Sequence, residues 1–283
     1  MANATTGKVG LIGYPIGHSM SPVLQQAGFD HLGLDIRYEL WQTEPDYLPQ
    51  AIDAIASPDV LGANVTAPFK EKVLPLLDEL NEIASEIGAV NTVVKRDGRL
   101  VGFNTDAEGF LRSLEVEGKF DPGGKAVTLI GAGGVARAIG FALIHADIGS
   151  LTIVNRSPER AERLAAELGF ADLKVVRVGA EDAYRAAVWN ADLLVNCTSV
   201  GMKHGPAEGQ SPINGNLISP DSFVYDVVYN PVKTPLINVA EEAGARALGG
   251  LSMLVYQGVA SFELWTGQKA PVDIMMRAVR EAL

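Results

Sequence analysis

The chain has 283 residues, 47% of them hydrophobic, and a formal net charge of −11 at pH 7. That length exceeds one typical domain, and that apolar share supports a buried core rather than a disordered polymer. The acidic balance disfavours nucleic acid and anionic membrane as partners, and no run approaches the roughly 20 apolar residues that cross a bilayer.

Met1 to Lys8 is short and polar, without the apolar core of a secretory signal, so a cytoplasmic location is expected. Val9 to Gly13 reads as a buried strand. A helix is expected from Ser21 to Leu32, opened by Ser21 and Pro22, because proline suits the first helical positions. Tyr38 to Trp41 and Leu61 to Val65 read as further strands. Pro68 and a helix around Glu71 to Leu77 follow. β-rich runs alternating with longer amphipathic stretches predict parallel βαβ units and an α/β fold. A helix around Glu108 to Leu114 then leads to the turn cluster Asp121-Pro122-Gly123-Gly124. Beyond it come a strand at Ala126 to Ile130, a strand at Leu151 to Val154 and a helix at Pro158 to Leu168. Strands at Leu193 to Asn196 and Val224 to Val228 complete that set, and the tail from Met253 to Leu283 reads as helical, broken by Pro271.

The single cysteine, Cys197, excludes an internal disulfide framework, and the four scattered histidines have no metal-ligand spacing. No metal is expected. The run Lys125 to Ile130 enters Gly131-Ala132-Gly133-Gly134-Val135-Ala136 and then an apolar helix. Gly131, Gly133 and Ala136 occupy the G-x-G-x-x-G/A positions of a Rossmann-type dinucleotide turn. The first glycine makes the tight turn, the second admits pyrophosphate to the backbone, and the helix start offers N–H groups to phosphate. The next strand ends Val154-Asn155-Arg156-Ser157, with Arg160 one turn further on. An NAD site usually places a carboxylate there for the ribose 2′-hydroxyl. Two guanidiniums instead suit a 2′-phosphate, so NADP is the expected cofactor.

Three segments of the first half carry polar groups beyond what folding needs. Asn64-Val65-Thr66-Ala67-Pro68-Phe69-Lys70 follows a buried strand, and ligands of open α/β sheets gather at carboxyl strand ends. Ala89-Val90-Asn91-Thr92 sets an amide among apolar residues. Gly102-Phe103-Asn104-Thr105-Asp106 ends in a carboxylate before a helix, where an ordinary N-cap is the plain alternative. For Lys70 the plain alternative is a solvated helix position. Oxidising an alcohol by hydride transfer also requires removal of its proton. A lysine does this where burial or cationic surroundings lower its pKa, and a carboxylate can orient the ammonium and share the proton. Lys70 and Asp106 are candidates for such a pair.

Over Gly13 to Gly267 the chain resembles shikimate dehydrogenases. Gly13-Tyr14-Pro15-Ile16-Gly17-His18-Ser19-Met20-Ser21-Pro22 is similar to the family's serine-pair segment, and Asn64 to Lys70 to its N-V-T-x-P-x-K motif. The resemblance implies that Lys70 is the catalytic acid/base and Asp106 its partner. It implies that Ser19, Ser21, Asn64, Thr66, Asn91, Tyr229 and Gln257 bind a cyclic hydroxy-acid substrate. Cofactor contacts are implied at Gly131, Ala132, Gly133, Gly134, Val135, Asn155, Arg156, Ser157 and Arg160. Others are implied at Thr198 and Ser199 of Asn196-Cys197-Thr198-Ser199-Val200-Gly201-Met202, and at Val227, Gly250 and Met253, with Glu82 at the cofactor edge.

The implied organisation is an N-terminal α/β substrate-binding and catalytic domain (1–106) rejoined by C-terminal helices (255–283). A Rossmann-type NADP-binding domain (107–254) lies between these stretches. The implied reaction is reversible reduction of 3-dehydroshikimate to shikimate in aromatic amino-acid biosynthesis. Quinate dehydrogenase is the near rival, and a catalytically silent NADP-binding sensor the distant one. Homodimerisation stays open, and a fused bifunctional enzyme is not expected. Gln25-Gln26 stands where the family often has His-Asn, and Ser157 where threonine is commoner. Cys197 reads as a small buried residue rather than a nucleophile. Ser19 beside His18 makes no hydrolase triad, since no acid partner is evident.

Overall fold

The first sheet is built from β1 (Thr6–Gly13), β2 (Asp35–Gln42), β3 (Val60–Val65), β4 (Glu79–Leu80), β5 (Thr92–Arg96) and β6 (Arg99–Phe103), with α1 (Ser21–His31), α2 (Leu48–Asp53) and α3 (Glu82–Ile87) between them. The computed structural model describes residues 6–283; residues 1–5 of the polar N-terminal segment lie outside it. The strand order is β2-β1-β3-β5-β6-β4. β1 runs parallel to β2 and β3, whereas β5 is antiparallel to both β3 and β6. The sheet is therefore mixed: β2-β1-β3 keeps the parallel order that βαβ units predict, and β5 runs against its neighbours. The cause is the Asp97-Gly98 turn, with φ of 51° and 79°, which closes a β5–β6 hairpin. Two residues of positive φ twist as the flanking strands do, and Asp-Gly supplies them at low cost.

The helix expected around Glu71 to Leu77 does not form. Val73 N–H reaches the Phe69 carbonyl in one α-type turn, and a short 3-10 segment follows at Leu74–Leu76. Pro75 explains this, since it has no N–H to give and its ring would crowd the carbonyl four residues back. Gln25 and Gln26 do sit on a helix, but both are used. Gln25 is fully buried on α1 and donates from Nε2 to the Gly258 carbonyl. Gln26 accepts the Tyr38 N–H at its Oε1 and donates from Nε2 to the Ile36 carbonyl. Its amide thus occupies the outer edge of β2 as a neighbouring strand would, which blunts an open sheet edge.

The second set of elements comprises α4 (Asp106–Val116), β7 (Ala126–Ile130), α5 (Gly134–His145), β8 (Ser150–Asn155), α6 (Pro158–Leu168), β9 (Leu173–Arg177), α7 (Glu181–Trp189), β10 (Leu193–Asn196), β11 (Phe223–Asp226), α8 (Pro235–Glu242) and β12 (Arg246–Gly249); α9 (Leu251–Thr266) and α10 (Val272–Ala282) close the chain. The strand order β12-β11-β10-β7-β8-β9 is wholly parallel. Winding reverses between β7 and β10, and such a switch point is where doubly wound sheets bind ligands. β11 stops at Asp226, two residues before the expected Val228, because the Asp226 carboxylate takes the Val228 N–H and turns the chain.

The chain divides into two compact units, one running to Gly109 and including Val255–Ala282, the other Phe110–Leu254 with Leu283. Both crossings fall inside helices, α4 and α9. In the first unit α10 packs on α1, and Phe29 of α1 stacks on Phe262 of α9 with ring centroids 5.0 Å apart.

Candidate functional site

In the first unit the chemistry gathers at the carboxyl end of β3. Beyond Val65 the chain turns at Thr66, whose carbonyl accepts the Phe69 N–H, and the fully buried Phe69 ring anchors that turn. The Lys70 carbonyl accepts the Val90 N–H at 2.8 Å, tying the lysine's backbone to the segment before β5. Its side chain reaches Asp106, with Nζ 2.6 Å from Oδ2. The structure thus joins two groups that are 36 residues apart in sequence.

Asp106 opens α4 but does not cap it. Asn104 Oδ1 accepts the Asp106 N–H at 3.1 Å, leaving the Asp106 carboxylate to face the lysine. Asn91 supports that carboxylate. Its Nδ2 donates to Asp106 Oδ1 and to Thr105 Oγ1, each at 2.9 Å, while its Oδ1 accepts the Thr105 N–H at 2.8 Å. Asn91, Thr105 and Asp106 are all nearly buried, and Lys70 is half-buried. A hydrogen-bonded carboxylate fixed beside a lysine that solvent still touches can orient the ammonium and exchange its proton with a bound hydroxyl.

Asn64 lies beneath this pair. Its Oδ1 accepts the Tyr38 hydroxyl at 2.7 Å, and its Nδ2 faces the Asn91 carbonyl, Thr92 Oγ1 and Ser261 Oγ at 3.1 to 3.2 Å. Protein groups therefore take up both amide hydrogens. Burial pushes the Tyr38 phenol above its ordinary pKa, partly offset by the Ser21 hydroxyl, so Tyr38 acts as a donor and fixes which way the Asn64 amide points. Ser261 of α9 also meets Thr92 at 2.8 Å and Thr105 at 3.2 Å. Ser19 Oγ is 3.2 Å from Ser21 Oγ at the start of α1, and both side chains are half-buried. Thr66 and Gln257 are half-buried in the same unit, and the Gln257 carbonyl accepts Ser261 Oγ. Sequence reasoning missed Tyr38, Thr92, Thr105 and Ser261 as members of this network. Thr92 and Thr105 lie inside the motifs already singled out, whereas Ser261 sits unmarked in an apolar helix.

In the second unit β7 ends at the glycine turn. Gly131 has φ of 106°, and a Cβ there would stand 2.9 Å from Thr198 Cγ2, so both backbone and packing require glycine. Around Gly133 and Gly134 no protein atom beyond the adjoining backbone lies within 4 Å of an added Cβ, so the backbone is open to a ligand. Ala132 and Val135 are half-buried beside them. The 12-residue α5 starts at Gly134 without a side-chain cap, leaving first-turn N–H groups for an anion. Asn155 Nδ2 donates to the Ser157 carbonyl and shapes the turn after β8. Arg156, Ser157 and Arg160 are exposed there, and neither guanidinium pairs with a carboxylate among the described residues. The donor set fits a dinucleotide bearing an additional phosphate.

Thr198 is held by Asn196, whose Oδ1 accepts the Thr198 N–H at 3.0 Å and Oγ1–H at 2.7 Å; Ser199 next to it is exposed. The Gly250 N–H reaches the Val228 carbonyl, and Met253 is buried one turn into α9. A Cβ at Gly250 would stand 2.0 Å from the Val227 carbonyl oxygen. Gly250→Ala is therefore expected to destabilise the chain by about 1–3 kcal/mol, read from its urea midpoint; an unchanged midpoint would contradict this packing. Tyr229 is half-buried in this unit, and burial raises its phenol pKa. Glu82 is exposed at the start of α3 in the first unit, apart from the other cofactor candidates in sequence and in unit. Burial, with the Asp226 charge behind it, pushes the Cys197 thiol up, against the thiolate a nucleophile needs.

Among the described residues no helix is long and apolar enough to cross a membrane. Residues 11–93 match the family described as the shikimate dehydrogenase substrate binding domain, residues 115–203 the shikimate / quinate 5-dehydrogenase family, and residues 250–280 the shikimate 5′-dehydrogenase C-terminal domain. A protein of Moorella thermoacetica named shikimate dehydrogenase (NADP(+)) is 46% identical, over 99% of this chain and 95% of its own length. The shikimate 5-dehydrogenase of Thermus thermophilus, solved with NADP(H) and shikimate, superposes with a TM-score of 0.88 at 36% identity, covering 98% of this chain and 100% of that one. The quinate dehydrogenase of Corynebacterium glutamicum, solved with NAD, gives 0.88 at 33% identity, covering 98% and 99%. Lysine, carboxylate and amide at one strand end, a Rossmann sheet and near-full-length relatives agree, and the chain belongs to the shikimate dehydrogenase family.

Proposed function

We propose that the protein catalyses the NADP-dependent, reversible reduction of 3-dehydroshikimate to shikimate, a step of chorismate and aromatic amino-acid biosynthesis, in the cytoplasm. The observation that carries this reading is the 2.6 Å Lys70–Asp106 contact, supported by Asn91. In the reductive direction Lys70 gives its proton to the oxygen of the reacting carbonyl, and Asp106 holds the ammonium on that line. Ser19, Ser21, Thr66, Asn91, Tyr229 and Gln257 bind the carboxylate and ring hydroxyls. Asn64, whose amide also meets the Asn91 carbonyl and Thr92 Oγ1, binds the substrate with them. NADPH, when bound, supplies the hydride. Gly131 to Val135 receive its pyrophosphate, and Asn155, Arg156, Ser157 and Arg160 its 2′-phosphate. Thr198, Ser199, Val227, Gly250 and Met253 line its nicotinamide end, and Glu82 its edge. Residues 1–106 with 255–283 form the substrate domain and 107–254 the cofactor domain.

Quinate is the second reading, favoured by the likeness to the Corynebacterium glutamicum enzyme. Absorbance at 340 nm, with shikimate or quinate against NADP or NAD, decides between them. Turnover confined to shikimate with NADP is expected. A preference for quinate or NAD would overturn the substrate or cofactor assignment, and silence in all four would favour a binding protein without catalysis.

A further inference from the structure

A fully buried carboxylate in the second unit has no part in the chemistry above. Asp226 ends β11 with no exposed surface. Its Oδ1 accepts from Asn196 Nδ2 at 2.8 Å and from the Val228 N–H at 3.1 Å; its Oδ2 accepts from Thr234 Oγ1 at 2.6 Å. All three partners are neutral. Burial pushes the Asp226 pKa up, and these three donors oppose that push.

The partners lead to three different segments. Asn196, paired with Asp226 in the sheet, uses its Oδ1 to hold both the N–H and the hydroxyl of Thr198. Thr198 Oγ1 then accepts the Val200 N–H, and its methyl lies against Gly131. On the other flank the Val228 N–H fixes the chain after β11, whose Val227 carbonyl stands against Gly250. The third partner, Thr234, caps α8 by accepting the Ile237 N–H, so its hydroxyl proton is directed to Asp226. The donors run one way throughout, which leaves the carboxylate as the common acceptor that sets the orientation of each arm.

We propose that Asp226, locked by Thr234, is a positioning residue for the cofactor: it holds the loops after β10 and β11 in the arrangement that receives the nicotinamide half of NADP. It touches no cofactor itself. This rests on the reading of the second unit as the NADP-binding domain. An apolar side chain would fill the space but leave Asn196 without the partner that orients it. A displaced loop that loses one hydrogen bond to the cofactor weakens binding by up to about tenfold.

NADPH fluorescence titrations of the full chain test this, alongside shikimate KM and thermal melting. Thr234→Val removes the hydroxyl that locks Asp226. Asp226→Asn keeps the α8 cap and one acceptor oxygen, but puts an amide N–H donor in the place of the other. Each is expected to raise the NADPH dissociation constant by about tenfold, with shikimate KM, to which that loop contributes Tyr229, changed by no more than about threefold, and Thr234→Ser is expected to restore binding. A purely structural role would lower the melting temperature but leave NADPH affinity of the folded fraction as in the parent, and that result would overturn the proposal. Failure of the unmodified chain to bind NADPH would overturn the cofactor reading itself, and this inference with it.

Discussion

Lys70→Ala is expected to lower kcat by about 10²- to 10⁴-fold, the usual worth of a positioned proton donor. Shikimate KM should change by no more than about threefold, because groups that bind substrate and transition state alike remain in place. The geometry supports this split. Asp106 keeps the Asn91 amide at 2.9 Å after the lysine is lost, so the carboxylate retains a donor and the site its shape. Lys70→Arg sharpens the test. A guanidinium can keep the ion pair but stays protonated at working pH. Low turnover in both variants would locate the function in proton transfer. Near-parental turnover in Lys70→Ala would remove Lys70 from the mechanism, and recovery in Lys70→Arg would reduce its part to fixed charge.

The second large effect concerns cofactor choice. Arg156 and Arg160 are exposed on the turn after β8 and the first turn of α6. A charge-assisted hydrogen bond contributes about 1.5–3 kcal/mol, less where solvent screens it. Replacing both arginines with alanine should therefore lower kcat/KM for NADP by about 30- to 10³-fold. NAD, which lacks the 2′-phosphate, should lose no more than about threefold. The NADP preference of the parent should also narrow as salt rises, because exposed charges are screened over about 8 Å at physiological ionic strength. Equal losses with both cofactors would mean that the arginines support the fold rather than read the phosphate.

How far the sequence could be read depended on whether the signal was local. The strand at Ala126–Ile130 and the helix at Pro158–Leu168 stand where periodicity and flanking turns put them. The β5–β6 hairpin is equally local, its turn written in Asp97-Gly98, but its two five-residue strands lack a strict polar–apolar alternation. β9 and β12 are short edge strands without a continuous apolar run, and α7 has little buried surface. Amphipathic signals are weakest in such elements. In the site, Lys70, Asn91 and Asp106 were legible as polar groups in stretches that ought to be apolar. Which groups they meet was not. The Thr92–Ser261 contact spans 169 residues, and no spacing rule reaches that far. Gln25 and Gln26 show the same limit: two adjacent amides, one buried against α9 and one sealing an edge strand, look alike until the fold exists.

The first unit is written in two pieces, one ending at Gly109 and the other beginning at Val255, whereas all but one residue of the second unit form the unbroken stretch between them. Synthesis from the N-terminus therefore delivers that whole stretch while the first unit still lacks α10 and most of α9. Until those helices emerge, the face of α1 that they cover stays bare, and Asn64, Thr92 and Thr105 lack the Ser261 hydroxyl. Nascent chains gain structure as complete units appear. The unit begun first on the ribosome is thus the one finished last.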